Sequence, residues 1–462
     1  MDASKRLAQF ASALRYDDLP SEVVRRTQAL LLDWLGSALA GTRARPVHAL
    51  RAVARDMGPA NGASQIFATR EMTSALFAAT VNAAASHVVE QDDLHNQSVF
   101  HPATVVFPPV IAAAQAGDCS GEEVVAAAVA GYECGIRVGE FLGASHYRVF
   151  HTTATAGTLA AAMATANLLK LNPEQTLHAL GNAGTQAAGL WEFLRDAADS
   201  KQLHAAKAAM DGMLAAYGAR HGLTAATRIL EGERGMAAGM LGPGADGDAR
   251  CDADKITDRL GERWALLETS LKYHACCRHT HPAADALLEI RRAHAFDSSS
   301  ITRITARVYQ AAADVLGAVE RPRSIHQSKF SMGFVLALIA RHGKAGVGEF
   351  TETALADGEL MRLHDAVEMV VDADIEARYP RRWSAEVEVE CADGAKWRHR
   401  VDSPKGDPEN PLRRDQIEDK FRALCDFGGA VDTPEREALL TQCWRLPQIA
   451  AFGEALLLAP RD

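Results

Sequence analysis

The sequence has eight cysteines among its 462 residues, but no C-x-x-C pair. Their spacing therefore excludes zinc ribbons and thioredoxin-type redox motifs, and the adjacent Cys276 and Cys277 are poorly placed to bridge each other. Aromatic residues make up only 6% of the chain, while alanine dominates its first half. This composition favours closely packed helices over a large β-sandwich.

Long apolar runs and excess positive charge are also missing. No segment reaches the length of a membrane span without polar residues, and the N-terminal MDASKRLAQF lacks the apolar run of a signal peptide. The net charge is −10 and there is no basic stripe, which argues against nucleic-acid binding. We therefore expect a soluble, cytoplasmic protein with no membrane or nucleic-acid partner. An anionic ligand would need a locally positive pocket.

The first part of the chain predicts a series of helices. One follows Pro20 and ends at Gly41, because its apolar residues recur at helical spacing. Capping boxes at Ser120 and at Asn172 begin two more. Further helical runs are expected after Thr73, Thr152 and His204.

The second part of the chain shows strand patterns after a glycine-rich loop or linker at residues 242–254. Alternation places Thr302, Ile304, Ala306 and Val308 on one face of a strand, opposite Arg303, Thr305 and Arg307. Residues 385–401 predict a hairpin with a three-residue loop, Ala392 to Gly394, because this register sets Glu388 opposite Arg398. A two-residue loop would instead set Val389 opposite Arg398.

These patterns predict a two-domain fold. Residues 1–265 form an all-α domain and residues 266–404 form a smaller α+β domain. Residues 405–462 form C-terminal helices that return to the helical domain. A chain of this length rarely forms a single core.

The string HVVEQDDLHNQSVFHP joins two predicted helices and contains Glu90, Asp92, Asp93, His95 and His101. His101 precedes a helix N-terminus, whose free N–H groups suit a substrate carboxylate. A solvated acidic loop with a capping histidine is the alternative.

Two shorter signals occur at other helix starts. His151 precedes a helix and by itself is more typical of a cap or a packed core residue. Lys201 and His204 open another helix, where a lysine opposes the helix dipole at a small energetic cost.

Residues 272–281, which we call the cationic segment, read KYHACCRHTH. A metal site built from His279, His281 and a cysteine is one interpretation, but the ligand spacing matches no zinc pattern. We favour a cationic pocket for carboxylates that includes Lys272 and Arg278. An exposed helix start of mixed polarity is the alternative without function.

The order of these motifs resembles the MmgE/PrpD family. The chain shows an acidic pair followed by His-Pro, then His-x-T-x-x-x-G-T, Lys-x-L-His and Lys-x-x-x-x-Cys-Arg-x-x-His. Lys329-Phe330-Ser331 and the string KGDPENP at residues 405–411 also match. The resemblance extends over nearly the whole chain.

The resemblance implies a helical domain with an α+β lid, an active site between them, a homodimer, and no metal or organic cofactor. It also implies a small anionic polycarboxylate substrate and chemistry at the acidic C–H bond next to a carboxylate. His101 and Lys272 are then candidates for proton transfer, and Glu90 or Asp93 would orient His101 or act as the second acid or base. The predicted site, sorted by role, is His101, Lys272, Glu90, Asp93 and His151 as catalytic residues, with Lys201, Arg278, His204 and His95 binding substrate.

Three reactions occur in the family: 2-methylcitrate dehydration, cis-aconitate decarboxylation and iminodisuccinate epimerisation. The acidic loop lacks the threonine of the usual D-x-[DN]-D-T string and begins with Glu90. Cys277 stands where decarboxylases can carry histidine. We expect a 2-methylcitrate-dehydratase-like lyase, with an epimerase or a decarboxylase as alternatives. A non-catalytic helical binding protein is the alternative from another class.

Overall fold

The computed structural model describes residues 2–196, 198–241 and 251–460. The chain forms two compact units. The first contains the residues up to Thr269 and those from Arg414 onward, and the second contains Ser270–Arg413. The domain limits expected from sequence (1–265, 266–404 and 405–462) stay a prediction. Most of the expected linker, residues 242–250, lies outside the described residues.

Helices dominate the described chain. In chain order the α-helices are Ala3–Ala13 (α1), Ser21–Ala40 (α2), Arg45–Met57 (α3), Ala75–His87 (α4), Ala103–Ala116 (α5), Gly121–Tyr147 (α6), Thr152–Leu168 (α7), Pro173–Gln186 (α8), Phe193–Asp196 (α9), Ser200–Arg220 (α10), Met236–Leu241 (α11), Asp254–Thr257 (α12), His281–Ala293 (α13), Gln310–Gly317 (α14), Ile325–Ser328 (α15), Met332–His342 (α16), Glu352–Ala356 (α17), Gly358–Asp365 (α18), Ala373–Glu376 (α19), Arg414–Gly428 (α20) and Thr433–Trp444 (α21). The strands are Ser64–Ile66 (β1), Glu71–Thr73 (β2), Leu94–His95 (β3), Thr269–Ser270 (β4), Ile301–Val308 (β5), Val367–Val371 (β6), Ala385–Cys391 (β7) and Lys396–Val401 (β8).

The predicted helix starts are confirmed by their capping contacts. The side chain of Ser120 accepts a hydrogen bond from the Glu123 amide at 3.2 Å, and Asn172 accepts one from the Gln175 amide at 2.9 Å. α2 begins directly after Pro20, and Gly41 is its C-cap. Among the described helices, none is both long and apolar enough to cross a membrane.

Small residues let the central helices of the first unit approach closely. A Cβ atom on Gly135 in α6 would lie 2.5 Å from the Cβ of Ala160 in α7. A Cβ atom on Gly212 in α10 would lie 2.4 Å from that of Ala161. Overpacking of this kind costs about 1–3 kcal/mol. The alanine-rich composition thus produces the closely packed helices that it predicted.

The C-terminal helices belong to the first unit. α20 packs against α2, where the buried ammonium of Lys420 lies 2.5 Å from Asp33 Oδ1. Lys420 also donates to the carbonyl oxygen of Gln91 at 2.7 Å. The C-terminal part of the chain therefore supports the loop after α4, which carries several candidate site residues.

The second unit contains a four-stranded sheet in the order β6-β5-β7-β8. β5 pairs with β6 in parallel and with β7 antiparallel, and β7 and β8 form the hairpin. Glu388 lies opposite Arg398, and Gly394 has a φ of 87°, so the predicted register is confirmed. The ion pair of Arg398 runs diagonally instead, to Glu386 at 3.6 Å.

The predicted alternation of β5 is wrong at Thr302 and at Thr305. Thr302 was expected on the buried face with Ile304, but Thr302 and Arg303 are both exposed, whereas Thr305, expected on the exposed face, is buried. The register of β5 against β7 shifts between Ile301 and Arg303. An irregularity of this type inserts an extra residue and turns the next side chain to the other face.

Candidate active site

Four histidines of the first unit meet where helices begin or end. His87 is the last residue of α4, His101 precedes α5, His151 is the N-cap of α7, and His204 lies in the first part of α10. The ring centroids are 5.0 Å apart for His87 and His101, 5.6 Å for His87 and His151, and 5.4 Å for His151 and His204. We call this group the histidine cluster. It unites three residues that the sequence singled out in separate motifs.

The tautomer of His101 follows from its backbone partner. Nδ1 of His101 lies 2.6 Å from the carbonyl oxygen of Asp93, which can only accept a hydrogen bond. Nδ1 therefore carries a hydrogen, and Nε2 of the neutral ring holds the lone pair. The amide of His101 donates to the Thr153 hydroxyl at 3.2 Å, so a threonine two residues after His151 also holds His101 in place.

Asp92 lies between two of the histidines. Its Oδ2 is 2.6 Å from Nδ1 of His87 and 3.1 Å from Nδ1 of His101. Burial alone would raise the pKa of Asp92, but the charges and hydrogen bonds of His87 and His101 outweigh it and hold this pKa well below its usual range. Asp92 is therefore an ionised carboxylate enclosed by two imidazoles.

The other histidines of the cluster are neutral near pH 7. Burial lowers the pKa of His87 and of His204 to about 4. The pKa of His151 is held well below its ordinary value by burial, with the neighbouring histidines and Lys201 acting in the same direction. Because these rings are uncharged, they can accept as well as donate hydrogen bonds.

Lys201 and Glu90 form a buried ion pair next to the histidines. Their side chains are 4% and 2% exposed, and the ammonium donates to Glu90 Oε1. Glu90 has a φ of 58°, a left-handed conformation that costs about 1–2 kcal/mol for a residue other than glycine. The ion pair with Glu90 explains why Lys201 occupies the first turn of α10, although its charge opposes the helix dipole there.

The side chain of Asp93 supports the fold around the site. Its oxygens accept hydrogen bonds from the Ala103 amide at the start of α5 and from the Tyr132 hydroxyl, at 3.0 and 2.7 Å. Burial raises the pKa of Asp93 to about 8. Of the two roles predicted for it, orienting His101 is supported by its backbone carbonyl rather than by its carboxylate.

His95 lies apart from the histidine cluster, so its predicted substrate-binding role is not supported. Its Nδ1 bonds to the Ser98 hydroxyl at 2.8 Å, and its Nε2 is 3.6 Å from Glu268. Arg263 binds both Glu268 and Glu140 in this network. His95 is separated from the histidine cluster because it lies in the short strand β3, where its side chain faces the carboxylates of Glu140 and Glu268.

An aromatic wall covers the outer pair of histidines. Nδ1 of His151 and Nδ1 of His204 are 3.2 Å apart, so one nitrogen donates and the other accepts. Trp191 lies 4.6 Å from the ring of His151, and Phe193 lies 5.4 Å from that of His204, measured between centroids. These apolar rings restrict the access of water to the imidazoles.

Two groups of described side chains bring three possible metal ligands together. One is His87, Asp92 and His101. Its shortest separation, 2.6 Å, is that of a hydrogen bond, whereas two ligands of one tetrahedral zinc at about 2.0–2.1 Å would lie roughly 3.3 Å apart. The other is His95, Glu140 and Glu268, whose carboxylates already bind Arg263. Neither group includes His279 or His281.

The cationic segment of the second unit is buried apart from Tyr273, and Lys272 is only 1% exposed. Arg278 pairs with Asp407, and its Nη1 lies 2.9 Å from Nδ1 of His281. These contacts use two of the five N–H groups of the guanidinium and anchor it in the second unit. The substrate-binding role of Arg278 stays a prediction.

Two further histidines of the cationic segment, His274 and His279, bond within the second unit. Nε2 of His274 is 3.0 Å from Asp285, and Nδ1 of His279 is 2.7 Å from the Tyr309 hydroxyl. The ring of His279 stacks on Trp383 at 4.6 Å, and burial lowers its pKa to about 3. Burial raises the pKa of the Cys276 thiol to about 12, which makes it unreactive.

The KGDPENP string folds against the start of the second unit. Gly406 accepts a hydrogen bond from the Leu271 amide at 2.9 Å, and Asp407 binds both Ser270 and Arg278. The Lys405 amide donates to Asp285 at 2.6 Å. We call residues 405–411 the strap, because they hold both ends of the cationic segment.

Sequence reasoning missed His87 and gave Asp92 no role of its own. His87 opens the HVVEQDD string, five residues before Asp92. That spacing across a helix end was the available signal, but only the folded loop brings His87 Nδ1 onto the carboxylate. Trp191 and Phe193 carried no recognisable motif.

The chain matches known proteins over almost its whole length. Residues 5–246 match the MmgE/PrpD N-terminal domain and residues 274–446 match the MmgE/PrpD C-terminal domain. The chain belongs to the MmgE/PrpD family of enzymes.

Three relatives that match nearly the whole chain are named as cis-aconitate decarboxylases or as a protein similar to them. A cis-aconitate decarboxylase-like protein of Aspergillus oryzae is 27% identical over 99% of this chain and 97% of its own length. The cis-aconitate decarboxylase of Aspergillus terreus is 28% identical, covering 97% of this chain and 95% of the relative. The cis-aconitate decarboxylase of Homo sapiens is 25% identical over 92% and 89%. The resemblance seen in the motifs is thus confirmed at the level of the family.

Proposed function

We propose that this protein is a lyase that transfers a proton at the carbon next to a carboxylate of a small polycarboxylate, with His101 as the proton-transfer group. The observation that carries the proposal is the hydrogen bond from His101 Nδ1 to the Asp93 carbonyl at 2.6 Å. It leaves Nε2 as the atom at which a proton arrives and departs. A positioned base of this kind contributes about 10²–10⁴-fold to a rate.

The charge that develops on such a substrate needs compensation. Lys201 is a buried cation next to the histidine cluster, so it is our candidate for binding a carboxylate of the substrate. Lys272 is proposed to act in the same reaction, either holding the enolate or moving a proton. That assignment rests on the family motif and on its charge. Neither a metal nor an organic cofactor is part of the proposal.

Decarboxylation of cis-aconitate is the first specific reaction to test, because the matched relatives carry that name at 25–28% identity. In that reaction Nε2 of His101 first takes up a proton from solvent, CO2 leaves the substrate, and the resulting carbanion takes that proton from the imidazolium, which returns to the neutral ring. Glu90 and Leu94 depart from the usual acidic loop, and Cys277 replaces a histidine that decarboxylases can carry.

Dehydration of a 2-methylcitrate-like hydroxy acid is the second candidate, since the departure at Cys277 concerns decarboxylases alone. Here His101 would remove the proton, and a second group would protonate the departing hydroxyl. An epimerase would need a second base instead.

One experiment separates these reactions. The purified protein is incubated in deuterated water with cis-aconitate, 2-methylcitrate or iminodisuccinate, and products are followed by NMR. We expect loss of CO2 with one deuterium incorporated, or loss of water with formation of a double bond. Deuterium exchange with inversion would indicate an epimerase. Inertness toward all three acids would favour the non-catalytic binding protein. The expected homodimer is tested by light scattering during gel filtration.

A further inference from the structure

One buried carboxylate serves two histidines in the first unit. Oδ2 of Asp92 is within hydrogen-bond distance of Nδ1 of both His87 and His101, at 2.6 and 3.1 Å. Asp92 and His87 are both fully buried. A carboxylate accepts and cannot donate when ionised, so the hydrogen between each pair resides on the imidazole.

His87 is consequently fixed in the same tautomer as His101. Its Nδ1 donates to Asp92, and its Nε2 is a buried nitrogen without a hydrogen-bond partner among the described residues. An unsatisfied buried acceptor costs about 1–3 kcal/mol, and such groups in native proteins call for an explanation. Packing alone does not explain a histidine at position 87, because an apolar ring there would pack against His151 without an unsatisfied nitrogen.

We propose that Asp92 and His87 are positioning residues for His101. Asp92 is the second acceptor, beside the Asp93 carbonyl, for the Nδ1 hydrogen of His101, and its charge reinforces the tautomer that presents Nε2 to the substrate. The Nδ1 hydrogen of His87 holds Asp92 in the orientation this requires. The inference rests on the proposed function, because it assigns to His101 the proton-transfer step. It extends that function to two residues that contact the base rather than the substrate.

The tautomers can be measured without reference to activity. In the full chain labelled with [15N]histidine, long-range 1H–15N spectra show which nitrogen of each ring carries hydrogen. Both His87 and His101 should show protonated Nδ1 and unprotonated Nε2. Assignments come from spectra of His87→Asn and His101→Asn. A hydrogen on Nε2 of either neutral ring would overturn the proposal whatever the substrate proves to be.

Paired substitutions then separate positioning from folding. Asp92→Asn keeps an oxygen that can accept both hydrogens, whereas Asp92→Leu has a similar size and no acceptor. His87→Asn keeps an N–H near the position of Nδ1, whereas His87→Phe keeps only a ring. We expect kcat to fall about 10–100-fold in the Leu and Phe variants, as for other residues that orient a reacting group. KM should change little, and the Asn variants should retain most of the activity.

The proposal would be overturned if all four variants kept the kcat of the unmodified protein. It would also be overturned if kcat fell equally in each Asn variant and in its Leu or Phe counterpart while the thermal midpoint stayed unchanged. Failure of the proposed function is distinguishable. If His101→Asn keeps full turnover while the tautomers are as expected, His101 is not the base. The hydrogen bonds of Asp92 and His87 would then be as described, but they would not position a catalytic group.

Discussion

The histidine cluster of the first unit and the cationic segment of the second are both buried and rich in histidine, but their hydrogen bonds differ. In the cationic segment Arg278, His274 and His279 bond to Asp407, Asp285 and Tyr309 of the same unit. In the histidine cluster the same type of contact fixes Nδ1 of His101 and leaves its Nε2 for the proton transfer that we propose. Density of reactive residues in a sequence therefore does not measure readiness for a reaction. What matters is which atom of each side chain the fold has already used.

The strongest test of this contrast is His101→Asn. The amide nitrogen of asparagine can replace Nδ1 in the bond to the Asp93 carbonyl, but nothing replaces Nε2. We expect kcat to fall about 10²–10⁴-fold with little loss of stability. His95→Asn is the matched control, because it makes the same change outside the cluster and should keep near-normal turnover. Equal losses in both variants would contradict the assignment of His101.

Lys272→Met tests whether the cationic segment takes part in the chemistry at all. Methionine keeps an apolar stem and removes the charge, so kcat should fall about 10²-fold if Lys272 stabilises the transition state or moves a proton. Arg278→Met should instead lower the thermal midpoint, because it removes the cation that pairs with the buried Asp407. Near-normal turnover of Lys272→Met would restrict the chemistry to the histidine cluster.

The strap offers a purely structural effect in the second unit. Gly406 has a φ of 96°, and an added Cβ would lie 1.8 Å from the Leu271 carbonyl oxygen. We expect Gly406→Ala to cost about 1–2 kcal/mol of strain and about 1–3 kcal/mol more from the collision, as measured by chemical denaturation. Gly394→Ala is the control, since its φ of 87° is similar but its surroundings are open. Equal costs at both positions would show that the close approach does not matter.

Titration distinguishes the neutral histidines from Asp93. Burial lowers the pKa values of His87 and His204, and that of the buried His146 in the last turn of α6, to about 4. The unfolded chain, with values near 6.5, therefore binds more protons between pH 4 and 6.5. The contribution of these histidines to the free energy of unfolding is greatest above pH 6.5 and is lost as the pH falls toward 4. Asp93, whose pKa is raised to about 8, behaves oppositely, and its contribution is lost as pH rises from about 4 to 8.

The thermal midpoint should accordingly be highest near pH 6.5. It should fall steeply on the acid side and gently toward pH 8. Asp93→Asn should flatten the alkaline side and make the acid side steeper, because the contribution of Asp93 declines over the whole range from about pH 4 to 8. A midpoint that does not change between pH 4 and 6.5 would contradict the neutral state of the buried histidines.

Chelation should have the smallest effect. The hydrogen-bonded distances in the group of His87, Asp92 and His101 favour protons over a metal ion between these atoms. We expect turnover to be unchanged after prolonged dialysis against a chelator, with and without added Zn2+ afterwards. Stoichiometric zinc in elemental analysis, with activity lost on its removal, would overturn this expectation.

Local patterns in the sequence determined the helix starts and the hairpin. Caps at Ser120 and Asn172 and the charge pairing around Gly394 involve residues close together in the chain, so short-range geometry decides them. The motif order also indicated the family and most of the polar residues of the histidine cluster. Thr302 was misplaced because the irregularity of β5 depends on its pairing with β7, which is not encoded locally.

Only the tertiary structure decided the bonding of each polar atom. The sequence could not show that Lys201 pairs with Glu90 across 111 positions, or that Arg278 is held by Asp407 in the strap. It also could not separate His95 from His101, six residues further on, although one joins the Arg263 network and the other the histidine cluster. Hydrogen bonding needs atoms within about 3 Å and aligned. That condition is met by long-range packing, whereas composition and spacing fix only which residue types are present.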